Sequence, residues 1–197
     1  MRYLFILAFL ALSACATYEI TPSGRALRTE DEYFEIVEDN SDRTTRYSGL
    51  YNVLEMQGTL LNTAVSEAQL DQQARYYLWD ETKYNSEQTK RQESLNRETE
   101  IFLSFFTPER KNDDMDKNST VWKTFLDVDG RRYEGRVTKL KKALPELTSL
   151  YPTHNRFFTP YSLVFPVPVK SIENKDIKLT VTGPVGSGVL HFKPTKK

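Results

Sequence analysis

The sequence predicts a mainly β protein with a helical insertion, and three observations lead to this fold class. Aromatic residues make up 12% of the 197-residue chain, and most are Tyr and Phe, which are enriched in β-strands. Short β-branched and aromatic stretches recur between turn-forming residues. One stretch alone, from about residue 66 to 98, is free of Gly and Pro and has helical periodicity at its start.

The first predicted strand covers residues 33–37 and is followed by a polar turn at residues 38–43, which is rich in Asp and Asn. The apolar positions of residues 50–61 fit either a helix or a strand. We predict a strand there, because Gly58 and Thr59 both disfavour a helix.

The helical stretch is predicted to begin at Ser66, because Ser66 and Gln69 have the spacing of a capping box. One helical face then carries a stripe of apolar residues: Leu70, Ala74, Tyr77 and Leu78. Past Tyr84 the residues are mostly polar, and Glu87 and Arg91 stand at the i,i+4 spacing of an ion pair. One long helix projecting from the body is expected; the alternative is two helices broken near residues 80–85.

Strand patterns dominate the rest of the chain. Residues 101–106 form a buried strand that ends before Pro108, and residues 109–119 form a charged loop. Residues 121–128 and 131–137 are predicted to pair as a hairpin, with Leu126 opposite Tyr133. The dipeptide Asp129-Gly130 between them is favoured in type I′ turns, because both central residues of that turn need positive φ.

Toward the C-terminus, residues 143–150 are predicted to form helical turns and residues 161–165 a strand, with Pro166 and Pro168 at a sheet edge. Residues 177–181 alternate as a strand, and a glycine-rich loop at 183–188 leads to a last strand at 189–192. About seven short strands separated by turns predict an immunoglobulin-like antiparallel β-sandwich. The stretches LDVDGRRYEG, YSLVFPVP and IKLTVTG resemble uncharacterised immunoglobulin-like domains of envelope lipoproteins, which implies a fold and no activity.

The N-terminus carries a different signal. Residues 3–12 are uncharged and mostly apolar, too few to span a membrane as a helix but suited to a secretory signal. The Leu-Ser-Ala-Cys motif at residues 12–15, which holds the only cysteine of the chain, resembles the lipobox of bacterial lipoproteins. That resemblance implies cleavage after Ala14 and acylation of Cys15. The alternatives are an ordinary secretion signal and a buried N-terminal strand.

Three segments follow from this interpretation: a signal peptide at 1–14, a lipid-anchored tether at 15–29 and a single sandwich domain at 30–197. Ala16 after the cysteine resembles the address of outer-membrane lipoproteins. The chain is therefore expected to be exported and anchored by lipid to the cell envelope, with the outer membrane favoured. Its 27 basic and 27 acidic residues form no basic stripe, so a nucleic acid partner is not expected.

Few residues indicate catalysis or a cofactor. The two histidines, His154 in a loop and His191 on the last strand, are interpreted as ordinary side chains, and the glycine loop lacks the features of a phosphate site. Asp114, Asp116 and Asn118 match positions 1, 3 and 5 of a calcium loop, but Ser119 and Phe125 depart from its later positions. They are a weak metal candidate, and no metal or cofactor is expected.

The expected function is a non-catalytic interaction or scaffold role with a protein partner in the envelope. The polar helical half, roughly residues 83–98, and outward-facing aromatic residues are the expected contact surface. The first alternative is a carbohydrate- or peptidoglycan-binding module, which requires aromatic side chains exposed on one face of the sandwich. The second is a hydrolase, which requires His154 or His191 in a cleft beside a Ser or a carboxylate.

Overall fold

A computed structural model describes residues 19–20 and 24–194 of the chain. The predicted signal peptide and Cys15 lie outside these residues. Within them, no helix is both long enough and apolar enough to cross a membrane.

The described residues form four α-helices and eleven strands. The helices are α1 (Glu30–Asp39), α2 (Thr63–Tyr77), α3 (Glu81–Leu95) and α4 (Leu144–Leu150). The strands are β1 (Glu19–Ile20), β2 (Ala26–Leu27), β3 (Ser41–Ser48), β4 (Tyr51–Leu60), β5 (Thr99–Phe106), β6 (Lys123–Val128), β7 (Arg131–Glu134), β8 (Arg136–Lys139), β9 (Thr159–Phe165), β10 (Ile177–Gly183) and β11 (Gly186–Phe192). The fold is thus mainly β with helices, which confirms the predicted class at that level.

Two larger antiparallel sheets and a two-stranded antiparallel pair, β1-β2, make up the β part of the described residues. One has five strands in the order β3-β4-β5-β9-β8, and the other has four in the order β11-β10-β6-β7. Their facing sides share one apolar cluster, in which Leu103 and Leu163 of the first sheet meet Leu126 and Leu179 of the second. Side chains alternate between the two faces of a strand, so this cluster takes every second residue of the central strands.

The two sheets are linked at both sides. Gly135 separates β7 from β8, so one chain segment passes from the four-stranded to the five-stranded sheet. At the other side β11 contacts β3: Arg46 Nε donates to the Ser187 carbonyl at 3.1 Å, and the His191 backbone N–H donates to Asp42 Oδ2 at 2.7 Å. The four-stranded sheet is thereby attached to the five-stranded sheet along both of its edge strands.

The helices cover part of the other face of the five-stranded sheet. Phe102 of β5 points away from the shared core, and its ring stacks on Tyr151 with the centroids 3.5 Å apart. The apolar cluster around it is drawn from α1, α2 and α4: Tyr33, Val37, Val65, Ala68, Leu147 and Leu150. The molecule therefore has three layers, namely four-stranded sheet, five-stranded sheet and helices.

The predicted hairpin around Asp129-Gly130 is confirmed. Asp129 and Gly130 have φ values of +50° and +74°, and Leu126 pairs with Tyr133 as expected. However, the predicted return strand at residues 131–137 is divided at Gly135, and its second part pairs with β9. The strands predicted at 50–61, 101–106 and 177–181 and the helical turns at 143–150 are also confirmed.

The strand predicted at residues 33–37 is wrong, because these residues lie in α1. Thr29 and Glu32 form a capping box at its start, and acidic residues occupy its first turn, where the helix dipole favours them. Tyr33 and Val37 stand four residues apart and bury one helical face. The polar turn predicted at residues 38–43 is also wrong, since β3 begins at Ser41.

A single long helix is not what the structure shows. The alternative of two helices is correct, but the break lies at residues 78–80, and residues 81–85 already belong to α3. The cap of α2 is Asn62, whose side chain accepts from the Val65 backbone N–H, and Ser66 lies inside the helix. At its other end Leu78 takes the left-handed conformation with φ +48°, and Asp80 then caps α3. The chain turns here because a left-handed residue ends the helical hydrogen-bond ladder.

Two C-terminal details also differ from prediction. β9 lies between β5 and β8, so Pro166 and Pro168 do not follow an edge strand. The glycine loop is shorter than expected, because β10 extends to Gly183 and β11 already begins at Gly186.

Candidate functional site

A groove lies on the outer face of the five-stranded sheet, where the helical layer ends. It has a volume of about 630 Å³. We call it the sheet groove. Its walls come from α1, from the ends of β3 and β4, from β5 and from the loop after α4: Phe34, Val37, Glu38, Ser41, Asp42, Arg43, Gln57, Gly58, Thr59, Phe102, Ser104, Pro152 and Thr153. Its size is typical of ligand pockets.

The floor of the sheet groove combines polar and apolar groups. Arg43 and Gln57 pair across β3 and β4, so both lie on this outer face. Arg43 is exposed, whereas the amide oxygen of Gln57 is buried and has no hydrogen-bond partner among the described residues. The floor thus combines an exposed cation with a buried acceptor that has no partner among the described residues.

A Ser–His pair lies at the inner wall of the sheet groove. Ser104 Oγ and His154 Nδ1 are 2.7 Å apart, and the His154 ring meets Phe102 edge-on at 5.7 Å. The sequence predicts a loop around His154 and indicates no role for it. Because side chains alternate along β5, Ser104 lies on the same outer face of the sheet as Phe102, and the loop that carries His154 packs on that face. Burial lowers the pKa of His154, so its imidazole is neutral at pH 7.

This pair lacks two requirements of a nucleophilic site. Ser104 is 1% exposed and His154 is 4% exposed, so an external carbonyl has no approach to the Ser104 oxygen. In a catalytic triad a third group orients the histidine, but within the described part of the chain the His154 side chain is hydrogen-bonded to Ser104 alone. The arrangement as it stands satisfies two buried polar groups.

His191 does not join this pair. It is exposed near the end of β11 and lines another cavity, of about 440 Å³, between β11 and the end of α1. The sheet groove and this cavity share Glu38, Ser41 and Asp42 as lining residues. The acidic side chain of Asp42 is already engaged by the backbone of His191.

The weak metal candidate lies in the loop between β5 and β6. Asp116 and Asn118 are exposed, whereas Asp114 accepts a hydrogen bond from Thr120 Oγ1 at 3.2 Å. The loop is therefore organised by its own side chains. Among residues 19–20 and 24–194, no group of three His, Cys, Asp or Glu side chains is placed to hold a metal ion.

A smaller cavity, of about 300 Å³, lies between α2, α3 and the sheet. Arg91 of α3 donates from it to the Ser66 carbonyl at 3.0 Å and to Gln73 Oε1 at 2.8 Å. The predicted pair with Glu87 does not form; Glu87 instead binds Lys83 and Lys90, which lower its pKa to about 2. Arg91 thus fastens α3 to α2, so part of the expected contact surface at 83–98 faces inward.

Between residues 24 and 194, exposed aromatic residues lie in three separate places. Tyr47 and Tyr51 flank the β3–β4 turn together with Leu50, which is 98% exposed; Phe157 lies in the loop before β9; Tyr76 and Tyr77 lie at the end of α2. They do not share one face of a sheet, which is the arrangement that the carbohydrate-binding alternative requires. Phe157 and Tyr161 are close in sequence, but Phe157 is exposed whereas Tyr161 is fully buried.

Sequence reasoning missed the residues of the sheet groove. The one available signal was the alternation of β4, which places Gln57 and Thr59 on the face opposite the core. Comparison of the chain with protein-family models, with curated proteins and with solved structures gives no match.

Proposed function

We propose that this chain is a lipid-anchored protein of the bacterial cell envelope that acts by non-covalent binding, with the sheet groove as the site of contact. The ligand is a segment of a partner protein, which offers backbone N–H groups and carboxylates. The observation that carries this proposal is the unpartnered amide oxygen of Gln57, a residue that pairs with Arg43 across β3 and β4 and lines the sheet groove with it.

A buried acceptor without a partner lowers the stability of the fold by about 1–3 kcal/mol. Replacing Gln57 with Leu removes that acceptor and keeps most of the side-chain volume. We therefore expect Gln57→Leu to leave stability unchanged or raise it while binding weakens. A residue with a purely structural role would show the opposite effect on stability, so the two readouts separate the roles.

Site-specific photo-crosslinking in intact cells tests the contact. A photoreactive residue at position 43 should yield a discrete adduct with one protein, and Gln57→Leu should reduce that adduct. The matched control is position 138, because Thr138 is also exposed but lies on β8, at the opposite edge of the same sheet. Equal adducts at both positions, or none at position 43, would reject the groove as the contact.

The anchor is tested independently of the groove. Acylation of Cys15 at the Leu-Ser-Ala-Cys motif would add about 0.8 kcal/mol of membrane affinity per buried CH₂, and two or more chains would make attachment stable. Metabolic labelling with an alkyne fatty acid should mark the native chain and not Cys15→Ser. Fractionation should recover the labelled protein with the outer membrane, as Ala16 indicates. An unmodified N-terminus would reject this part of the proposal.

The immunoglobulin-like relationship remains part of the proposal, supported by two antiparallel sheets around one apolar cluster. In the part of the chain that the structure describes, the exposed aromatic residues do not share one face of a sheet. This does not favour the carbohydrate-binding alternative, and a silent glycan array is the expected result.

A hydrolase is the second candidate, because Ser104 and His154 are hydrogen-bonded beside the groove. Because both side chains are buried, we rank the hydrolase below the binding protein. A fluorophosphonate probe that labels the native chain but not Ser104→Ala would support this candidate. A native chain that stays unlabelled would reject it.

A further inference from the structure

The turn between α2 and α3 carries three large side chains, of which Tyr77 and Leu78 are exposed and Trp79 is half-buried. We call Tyr77, Leu78 and Trp79 the aromatic corner. Tyr77 is 54% exposed and Leu78 is 72% exposed, and the rings of Tyr77 and Trp79 stack with their centroids 6.2 Å apart. Lys83 Nζ lies 5.7 Å from the centre of the Trp79 ring. The left-handed conformation at the turn holds Leu78 outward, beside two aromatic rings and a lysine. This combination of side chains is typical of a membrane-interface contact.

The tether enters the domain beside this corner. Leu27 of β2 is buried in a cluster with Leu70, Ala74 and Tyr84, and Trp79 packs against the same cluster. Arg28 Nη1 donates to Asp71 Oδ2 at 2.7 Å, which fastens the tether to α2. The last residues before the domain are therefore docked on the helices that form the corner.

The chain between this docked segment and the anchor is short. β1 pairs with β2, and Glu19 stands opposite Leu27. Cys15 precedes Glu19 by four residues, so the chain between them reaches at most about 14 Å. Lipid attached to Cys15 would therefore keep a bilayer surface close to the segment on which Trp79 packs.

We infer that the aromatic corner inserts into the headgroup region of the membrane that holds the acylated Cys15. This inference rests on the lipid anchor of the proposed function. Leu78 enters the boundary of the acyl chains, and Tyr77 and Trp79 lie at headgroup level. Lys83, which is paired with Glu87 at 2.8 Å, lies at the edge of this contact. The anchor and the corner together make two attachment points, so the domain has one orientation on the bilayer instead of turning freely about its tether.

The first test measures depth on the acylated full chain in vesicles of phosphatidylethanolamine and phosphatidylglycerol. A nitroxide is attached through Leu78→Cys, and Cys15 does not react because its sulfur carries lipid. We expect the label at position 78 to be accessible to oxygen and protected from a water-soluble nickel complex. The matched control is Thr138→Cys, which should remain in water. A water-exposed label at position 78, or equal accessibility at both positions, overturns the inference.

The second test needs no label and uses the two tryptophans. Lipids brominated in the upper acyl chain should quench Trp79 strongly, whereas Trp122, which is buried in the core, should be unaffected. Emission of Trp79→Phe should therefore lose its dependence on bromine. Leu78→Asp should abolish the quenching of Trp79 while the protein stays on the vesicles through its lipid.

The outcomes distinguish this inference from the anchor itself. An acylated chain that remains bound to vesicles with Trp79 unquenched overturns the corner contact and leaves the anchor intact. A chain without lipid on Cys15 contradicts the proposed function first. Self-association in detergent that Leu78→Asp abolishes would assign the corner to a second copy of the chain and overturn the membrane contact.

Discussion

The hydroxyl of Tyr33 donates a hydrogen bond to the main-chain carbonyl of Leu150, 2.6 Å away and 117 residues further along the chain. This bond joins α1 to the last turn of α4 over the outer face of the five-stranded sheet. Both residues belong to the apolar cluster that the helices form with Phe102. The phenol is almost fully buried, and burial raises the pKa of Tyr33 well above its usual range, so the hydroxyl remains a donor.

Tyr33→Phe should lower the free energy of unfolding by about 0.5–1.5 kcal/mol, because the ring still packs and the hydrogen bond is lost. Urea denaturation followed by circular dichroism measures this change. Tyr47→Phe removes the same atom from an exposed tyrosine and should leave the midpoint unchanged. Equal midpoints for Tyr33→Phe and the parent chain would contradict the prediction.

The burial of His154 makes stability depend on pH. Its pKa in the folded state is lowered, whereas an unfolded histidine titrates near 6.5, so the unfolded state binds protons more readily in the window below about pH 6.5. The free energy of unfolding should therefore fall as pH drops from 6.5 toward the folded pKa.

His154→Gln should flatten this decline, whereas His191→Gln, at an exposed position, should preserve it. Urea titrations at several pH values between 5 and 7.5 measure the slope. The same slope in both variants would show that other groups cause the decline.

Gly135 is the joint at which the chain passes between the sheets. A Cβ atom there would lie 2.6 Å from Phe165 Cε1 and 2.8 Å from Thr124 Oγ1, inside van der Waals contact. We expect Gly135→Ala to lower stability by about 1–3 kcal/mol through overpacking. Thr138→Ala, three residues further on at an exposed site, serves as the control in the same thermal melt. An unchanged melting temperature for Gly135→Ala would mean that the two sheets separate easily at this joint.

Tyr84 supports the docking of the tether. Its hydroxyl donates to Asp71 Oδ1 at 2.6 Å, and Asp71 also binds Arg28. Burial and this hydrogen bond raise the pKa of Tyr84 to about 12, so the donor is present at assay pH. Tyr84→Phe should weaken the docking by about 1 kcal/mol and speed trypsin cleavage at Arg28 about fivefold.

The control for this experiment is Tyr77→Phe, which alters an exposed ring on the same pair of helices. Cleavage is followed by mass spectrometry at limiting protease. If Tyr84→Phe and Tyr77→Phe are cleaved at the same rate, Asp71 holds the tether without help from the phenol.

Local patterns predicted the elements whose causes are local. The Asp129-Gly130 hairpin needs two residues with positive φ, and its sequence supplies them. Residues 33–37 were misassigned because a five-residue aromatic and β-branched run has the same composition in a strand and on a buried helical face. The capping box of Thr29 and Glu32 was the signal that could have decided between them.

By itself, the sequence determined the mainly β class, the central strands with their hairpin and the positions where helices are allowed, because propensity and side-chain alternation act within a few residues. The tertiary structure decided what is non-local: the joint at Gly135, the fold of α3 back onto α2, the meeting of Ser104 with His154 and the sheet groove itself. These features arise from contacts between residues distant in sequence, such as pairs 25, 50 and 149 positions apart. Such contacts form only when the sheets and helices pack together, and no local pattern of residues encodes them.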